Sequence, residues 1–254
     1  MTADEFTIST EASGLLRTIW DAGHRRLPPR YETDAWDRRL RRRLDELLRP
    51  GVAVLDLGAG RRPTLPPADR PAGIHYVGLD VDAAELARAA AGSYDETVVA
   101  AAEEQVDALV GRFDFVVSFF ALEHVRSTSR TLENAQAYLK DGGTLLAVAA
   151  GANSPFAIAN RLLPGALVRR ILAATQRRRS EAVFRARYDA CTAERLLEAL
   201  GDGWSMRLVE PAYTGAGYAL FSRVATAAYI GYEEWLCRTD RRELAPAYFV
   251  EATK

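Results

Sequence analysis

The residues best equipped for chemistry fall into two clusters. In the first, Asp56 interrupts the apolar run 52–57, which ends in Gly58 and Gly60, and Asp80 closes a second apolar run twenty residues beyond Gly60. Glycines at alternate positions remove Cβ where the chain turns sharply and leave backbone N–H groups open to a ligand. An acid at the end of the strand that follows such a turn stands where the ribose of a nucleoside would lie. Its carboxylate can accept from both hydroxyls. The second cluster is Glu123-His124, just past the apolar run 113–118. A histidine titrates near neutral pH, so His124 is the best-placed general base; equally, it can serve as a structural hydrogen-bonding group beneath the site. Asp56 has a structural alternative too, capping an adjacent helix start, and Asp114 is read as fixing the start of its own strand.

These residues need elements to hold them. The run 52–57 reads as a buried parallel strand. Arg61-Arg62-Pro63 and a proline-rich loop to Pro71 follow it, then strands over 74–79, 96–100, 113–118 and 144–150, with helices over 83–91, 103–110 and 128–139 between them. Strand and helix alternating in this way imply a parallel sheet with helices on both faces. Open sheets of this kind bind ligands at the C-terminal ends of their strands, where both clusters lie.

Ahead of this region, two helices are expected, over 8–22 and from a cap at Thr33 through Trp36, Leu40, Leu44, Leu47 and Leu48. The arginine run 38–43 between those apolar positions reads as a solvated helix face. After Ala150, the apolar and basic stretch 153–172, broken at Pro164-Gly165 and followed by Arg177-Arg178-Arg179, suggests two short helices standing over the sheet edge. A lid with an apolar inner face is favoured over a segment that meets a membrane surface or a lipid-linked acceptor. Vesicle flotation separates the two. Farther on, Thr192 caps a helix over 193–200, strands cover 206–210 and 247–252, and Phe221, Val224, Ala228 and Trp235 share a helical face assigned to core packing. Tyr188, Tyr213 and Tyr218 could line a pocket or simply pack.

Composition excludes several classes. The chain has 254 residues, 48% hydrophobic and 26% charged, with a net charge of -1. That is ordinary for a folded protein, and it lacks the basic stripe interleaved with aromatics that a nucleic-acid partner requires. The opening residues, with Asp4, Glu5 and Glu11, lack the basic-then-apolar layout of a leader, so a cytoplasmic location is expected. Cys191 and Cys237 are too few for a disulfide framework, and His24, His75 and His124 are scattered, so no metal centre is expected.

The ordered pieces VLDLGAG, GLDVD, FDFVVSFFALEHV and LKDGG resemble the class I S-adenosylmethionine-dependent methyltransferases. The resemblance covers residues 52–150 and implies a Rossmann-like, seven-stranded, mostly parallel sheet with its last strand antiparallel. It implies a helical cover over 1–50, a methyltransferase domain over 51–254, and a lid-like insertion over 151–190. By the same resemblance, Asp56, Gly58 and Gly60 lie against the methionine part of S-adenosylmethionine, with the acid on its amino group directly or through water. Asp80 matches the ribose acid, Val81 and a residue near Glu103 the adenine site, and Ser118 with Phe119 the strand end beside the sulfonium. The implied activity is methyl transfer to an oxygen or nitrogen of a small-molecule acceptor such as a sugar, a natural product or a lipid-linked glycan.

Two departures from the family pattern stand out. Arg62 occupies the position of a further glycine, and Ala101 or Ala102 that of the acid on adenine's amino group. They keep a non-catalytic cofactor-binding subunit in view. A nicotinamide-dependent oxidoreductase is less well supported, because Pro63 takes the third glycine position of its fingerprint.

Overall fold

A computed structural model describes residues 27–162, 186–219 and 222–254. The apolar runs form seven strands: β1 (Ala53–Leu57), β2 (His75–Asp80), β3 (Glu96–Val99), β4 (Phe113–Phe119), β5 (Leu139–Ala150), β6 (Met206–Ala212) and β7 (Ala247–Thr253). They join in the order β3-β2-β1-β4-β5-β7-β6. β1 to β5 run parallel, and β7 lies antiparallel between β5 and β6. The expected sheet, with its final strand reversed, is what the chain forms.

Successive residues of a strand point to opposite faces, so a strand buried on both sides is apolar throughout. Leu55 and Leu57 of β1 join Val77, Leu79 and Val116 on one face; Val54 joins Tyr76, Val117 and Leu146 on the other. The helices are α1 (Arg30–Thr33), α2 (Trp36–Leu47), α3 (Ala83–Ala87), α4 (Thr128–Tyr138), α5 (Pro155–Leu162), α6 (Ala193–Leu200) and α7 (Arg223–Thr239). α4 and α6 cover the first face, and α2 covers the second through Trp36, Leu40 and Leu44. No described helix is long and apolar enough to cross a membrane.

Several expectations change. α2 starts after Ala35, and Thr33, expected as its cap, bonds to Asp34 at 3.1 Å instead. The arginine run is more than a solvated face. Arg43 reaches the buried Glu251 of β7 at 2.8 Å and Arg39 reaches Glu210 of β6 at 3.0 Å, so charge helps seat α2 on the sheet. The helix expected over 103–110 shrinks to a single turn at Asp107–Leu109. The helix expected over 8–22, the second half of 153–172, the arginines 177–179 and Phe221 lie outside the described residues.

The largest correction concerns α7. Its buried stripe is Thr226, Tyr229, Glu233 and Leu236, whereas Val224 and Trp235 are 80% and 46% exposed and Ala228 faces solvent. The face assigned to the core is the outer one. The true inner stripe has correct helical spacing but carries a glutamate, and a charge at a core position hides a stripe from any pattern that counts apolar residues.

Candidate functional site

The β1–β2 turn is built from backbone hydrogen bonds. Gly58 N and Ala59 N donate to the Leu79 carbonyl at 2.8 and 3.1 Å, folding the chain back over the end of β2. Gly58 has φ +79° and Gly60 φ +55°, left-handed conformations that a side chain disfavours. A Cβ on Gly58 would also fall 2.3 Å from the Ala121 Cβ, so only glycine lets this turn touch the loop after β4. The rest of the β1–β2 crossover holds Pro63, Pro66, Pro67 and Pro71 and forms only a single turn, Pro67–Asp69, because proline supplies no N–H for a continuing helix.

Asp80 stands where the sequence placed it, at the C-terminal end of β2 and half-buried. Gly60 N donates to its Oδ2 at 2.9 Å and Asp82 N to its Oδ1 at 2.8 Å. Burial pushes this carboxyl above its usual range, the two amides work against that, and the charges of Asp82 and Glu85 add to it. Val81 beside it is 64% exposed, an apolar side chain turned out at the ligand-binding edge. Ser118 is buried and donates to the Leu57 carbonyl at 3.0 Å, locking the ends of β1 and β4 together. Phe119 packs edge-on against Phe120 with centroids 4.8 Å apart, and Phe120 against Trp36 of α2 at 5.4 Å.

Asp56 is placed differently from the expectation. It has no exposed surface, and it accepts from Thr64 N at 2.6 Å, Thr64 Oγ1 at 2.8 Å and the Tyr76 hydroxyl at 2.8 Å. Burial pushes it up to about 6 against these donors and the nearby Arg70. It therefore shapes the turn from inside, and no helix start follows for it to cap. Glu103 is likewise committed: its carboxylate accepts from the Arg126 amide and pairs with that guanidinium at 3.6 Å. Burial opposes its charge, yet the Arg126 contacts hold it below the usual range. Ala101 is buried, and the Ala102 carbonyl accepts from Asn134 at 2.9 Å, so this stretch offers adenine backbone and no acid.

Glu123 and His124 sit in the turn after β4, closed by His124 N donating to the Ala121 carbonyl at 2.9 Å. His124 is half-buried. Glu123 is turned inward. Its backbone carbonyl accepts from Arg187 N at 2.7 Å and Tyr188 N at 3.0 Å, which straps residues 187–191 over it. Its Oε2 is buried without a hydrogen-bond partner, and burial pushes the carboxyl up to about 7. Tyr188 crosses this strap at φ +54° under the guanidinium of Arg161 from α5. Asp114 lies at the opposite end of β4, accepting from Ala53 N at 2.8 Å and from Lys140.

A methyltransferase domain model matches residues 29–201, more than half of the chain. The protein belongs to this family, as a class I S-adenosylmethionine-dependent methyltransferase. No curated protein matches the chain. Among solved structures, a possible exported protein of Bordetella parapertussis is 20% identical with a TM-score of 0.54, covering 100% of this chain and 78% of its own. Geranyl diphosphate C-methyltransferase of Streptomyces coelicolor, in complex with Mg2+, geranyl diphosphate and S-adenosylhomocysteine, is 16% identical with a TM-score of 0.52, covering 96% and 84%. Phosphoethanolamine N-methyltransferase 2 of Haemonchus contortus, in complex with phosphomonomethylethanolamine and S-adenosylhomocysteine, is 16% identical with a TM-score of 0.51, covering 86% and 52%. At these identities the likeness is one of fold. The family match sets the oxidoreductase alternative aside.

The residues of this methyltransferase fit its cofactor. Asp80 presents a carboxylate at the sheet edge, the exposed Val81 offers an apolar surface beside it, and a Cβ on Gly60 would meet only Asp80 Oδ2, at 3.9 Å, so the turn is open to a ligand. Four residues that the sequence did not single out complete the turn: Thr64 and Tyr76 satisfy Asp56, Tyr94 donates to the Ala59 and Gly60 carbonyls at 2.8 and 3.1 Å, and Asp82 caps α3. Tyr94 and Thr64 follow no periodic signal. Only their partners mark them.

Proposed function

We propose that this methyltransferase acts on a hydroxyl or amine of a small-molecule acceptor, with His124 receiving the acceptor's proton. S-adenosylmethionine supplies a methyl group already activated on sulfonium, so the protein's share is alignment, exclusion of water and, for a hydroxyl, removal of a proton. One observation carries this reading. Gly58 of the β1–β2 turn packs directly on Ala121, and Ala121 accepts the hydrogen bond that closes the turn bearing His124. The turn assigned to cofactor and the turn assigned to proton transfer are thus in contact.

Asp80 holds the ribose in this reading, Val81 packs on adenine, and Phe119 with the Ser118 backbone borders the reacting methyl. Asp56 and Glu123 act as positioning residues in this reading, because both are buried. The acceptor lies beside α5, the strap 187–191 and α7 in this reading, where Phe156 of α5 and Tyr229 and Tyr232 of α7 run in sequence with centroids 5.2 and 5.7 Å apart. Such an aromatic surface suits a partly apolar small molecule.

The test is transfer of labelled methyl from S-adenosylmethionine to a panel of alcohols, amines, sugars and lipid-linked glycans. With the acceptor so found, His124→Ala should lower kcat by about 10²-fold if the acceptor is a hydroxyl. Turnover equal to the wild type would remove His124 from the chemistry.

A further inference from the structure

Asp37 and Arg62 line one cleft. Asp37 lies in the first turn of α2, half-buried beside Trp36, and Arg62 is exposed on the loop that follows the glycine turn. The cleft, about 100 Å³, is lined by these two together with Leu40, Arg41, Gly58 and Phe119. It therefore opens on the same glycine turn and the same β4 strand end as the cofactor edge.

The neighbouring charges are matched. Arg41 pairs with Asp69, Arg39 with Glu210, Arg43 with Glu251, and Arg61 with Glu85 through two hydrogen bonds of 2.7 and 3.1 Å. Among the described residues, Asp37 and Arg62 form no ion pair or side-chain hydrogen bond. A carboxylate and a guanidinium on separate elements, lining one cleft with Gly58 of the glycine turn, complement a ligand that carries one positive and one negative group. An α-amino acid is the simplest such ligand. The guanidinium fork fits a carboxylate, and a carboxylate accepts well from ammonium.

Asp56, the residue the sequence assigned to the amino group, has no exposed surface and is already bonded to Thr64 and Tyr76. Its carboxylate is committed to the turn. We propose that Asp37 and Arg62 together hold the zwitterionic amino-acid end of S-adenosylmethionine, Asp37 accepting from the ammonium group and Arg62 donating to the carboxylate; the assignment rests on the methyltransferase reading above. It gives Arg62 a reason to stand where a further glycine is expected. The lost glycine is replaced by a side chain that recognises the ligand.

Two ligands separate the ends of the cofactor. S-adenosylhomocysteine carries the amino-acid end, and 5′-methylthioadenosine keeps the nucleoside and thioether but lacks it. By calorimetry, Arg62→Ala and Asp37→Ala should each weaken S-adenosylhomocysteine by about ten-fold while leaving 5′-methylthioadenosine unchanged, with Arg62→Lys recovering part of the loss. Unchanged affinity for S-adenosylhomocysteine in both variants, or equal losses for both ligands, would overturn the assignment. Binding of neither ligand by the wild-type chain would overturn the cofactor reading itself, and this inference with it.

Discussion

On the β1–β2 side of the ligand edge, polar contacts join residues close in sequence: Thr64 to Asp56 across 8 positions, Gly60 to Asp80 across 20, Tyr94 to Ala59 across 35. On the β6–β7 side they span nearly the whole chain. Arg30 meets Glu233 at 3.2 Å across 203 positions and the Tyr213 carbonyl at 3.0 Å, and Arg30 also pairs with Glu234. Tyr31 donates to Glu233 and accepts from Ala216 N at 2.8 Å, and Gly215 N donates to Glu233 as well. The cofactor side is stabilised within one βαβ-like unit. The β6–β7 side depends on a buried carboxylate that ties α1, the loop after β6 and α7 together.

If that comparison is right, the two sides can be broken separately. The largest effect is expected from Arg30→Ala, which leaves the fully buried Glu233 without its cation and should cost about 3 kcal/mol of stability. Acceptor turnover should fall with it, while S-adenosylhomocysteine affinity at a temperature where the variant is folded should hold. A parallel loss of cofactor affinity would show that the halves are coupled. Next in size, Asp80→Ala should weaken S-adenosylhomocysteine by about ten-fold or more, since the ribose loses its acceptor, with little change in melting temperature. Unchanged calorimetric affinity would refute the ribose assignment.

The smallest effect is one of pH. Burial raises Glu123 to about 7 from its usual value near 4.5. Between those values the folded state binds more protons than the unfolded state, so stability falls as pH rises from about 4.5 to 7 and stays reduced above that. Glu233 and Asp56, raised to about 7 and about 6 by burial, act in the same direction. Glu123→Gln should therefore raise the melting temperature by a few degrees at pH 8 and flatten its decline between pH 5 and 7. A variant with the wild-type pH profile would show that Glu123 is ionised without cost.

The contrast also explains what could be read beforehand. Asp80, Gly58 and Gly60 were legible because a strand, a tight turn and a second strand lie within 30 residues and their chemistry follows from backbone geometry. The role of Asp56 was not, since its partner Thr64 belongs to no periodic pattern, Tyr76 reads only as strand packing, and only folding brings three donors onto one acid. Glu103 was misleading in a similar way: its commitment to Arg126 is made by two loops meeting above the sheet. On α7 the apolar count pointed outward because Glu233, a charge satisfied from a distance, occupies the inner face.

The sequence by itself determined the alternation of strands and helices, the glycine turn and the position of the acid at the end of the second strand; the reversed last strand and the class of enzyme followed from the resemblance of its ordered motifs to a known family. The first three rest on local propensity or on short crossovers, where few alternative partners compete. Only the tertiary structure decided which acids are exposed at the ligand edge and which are buried, that Asp37 of α2 and Arg62 share a cleft, and that α7 packs on the loop after β6 and on Tyr31 of α1. Whether a carboxylate is a ligand or a strut depends on the donors that surround it, and those donors come from anywhere in the chain.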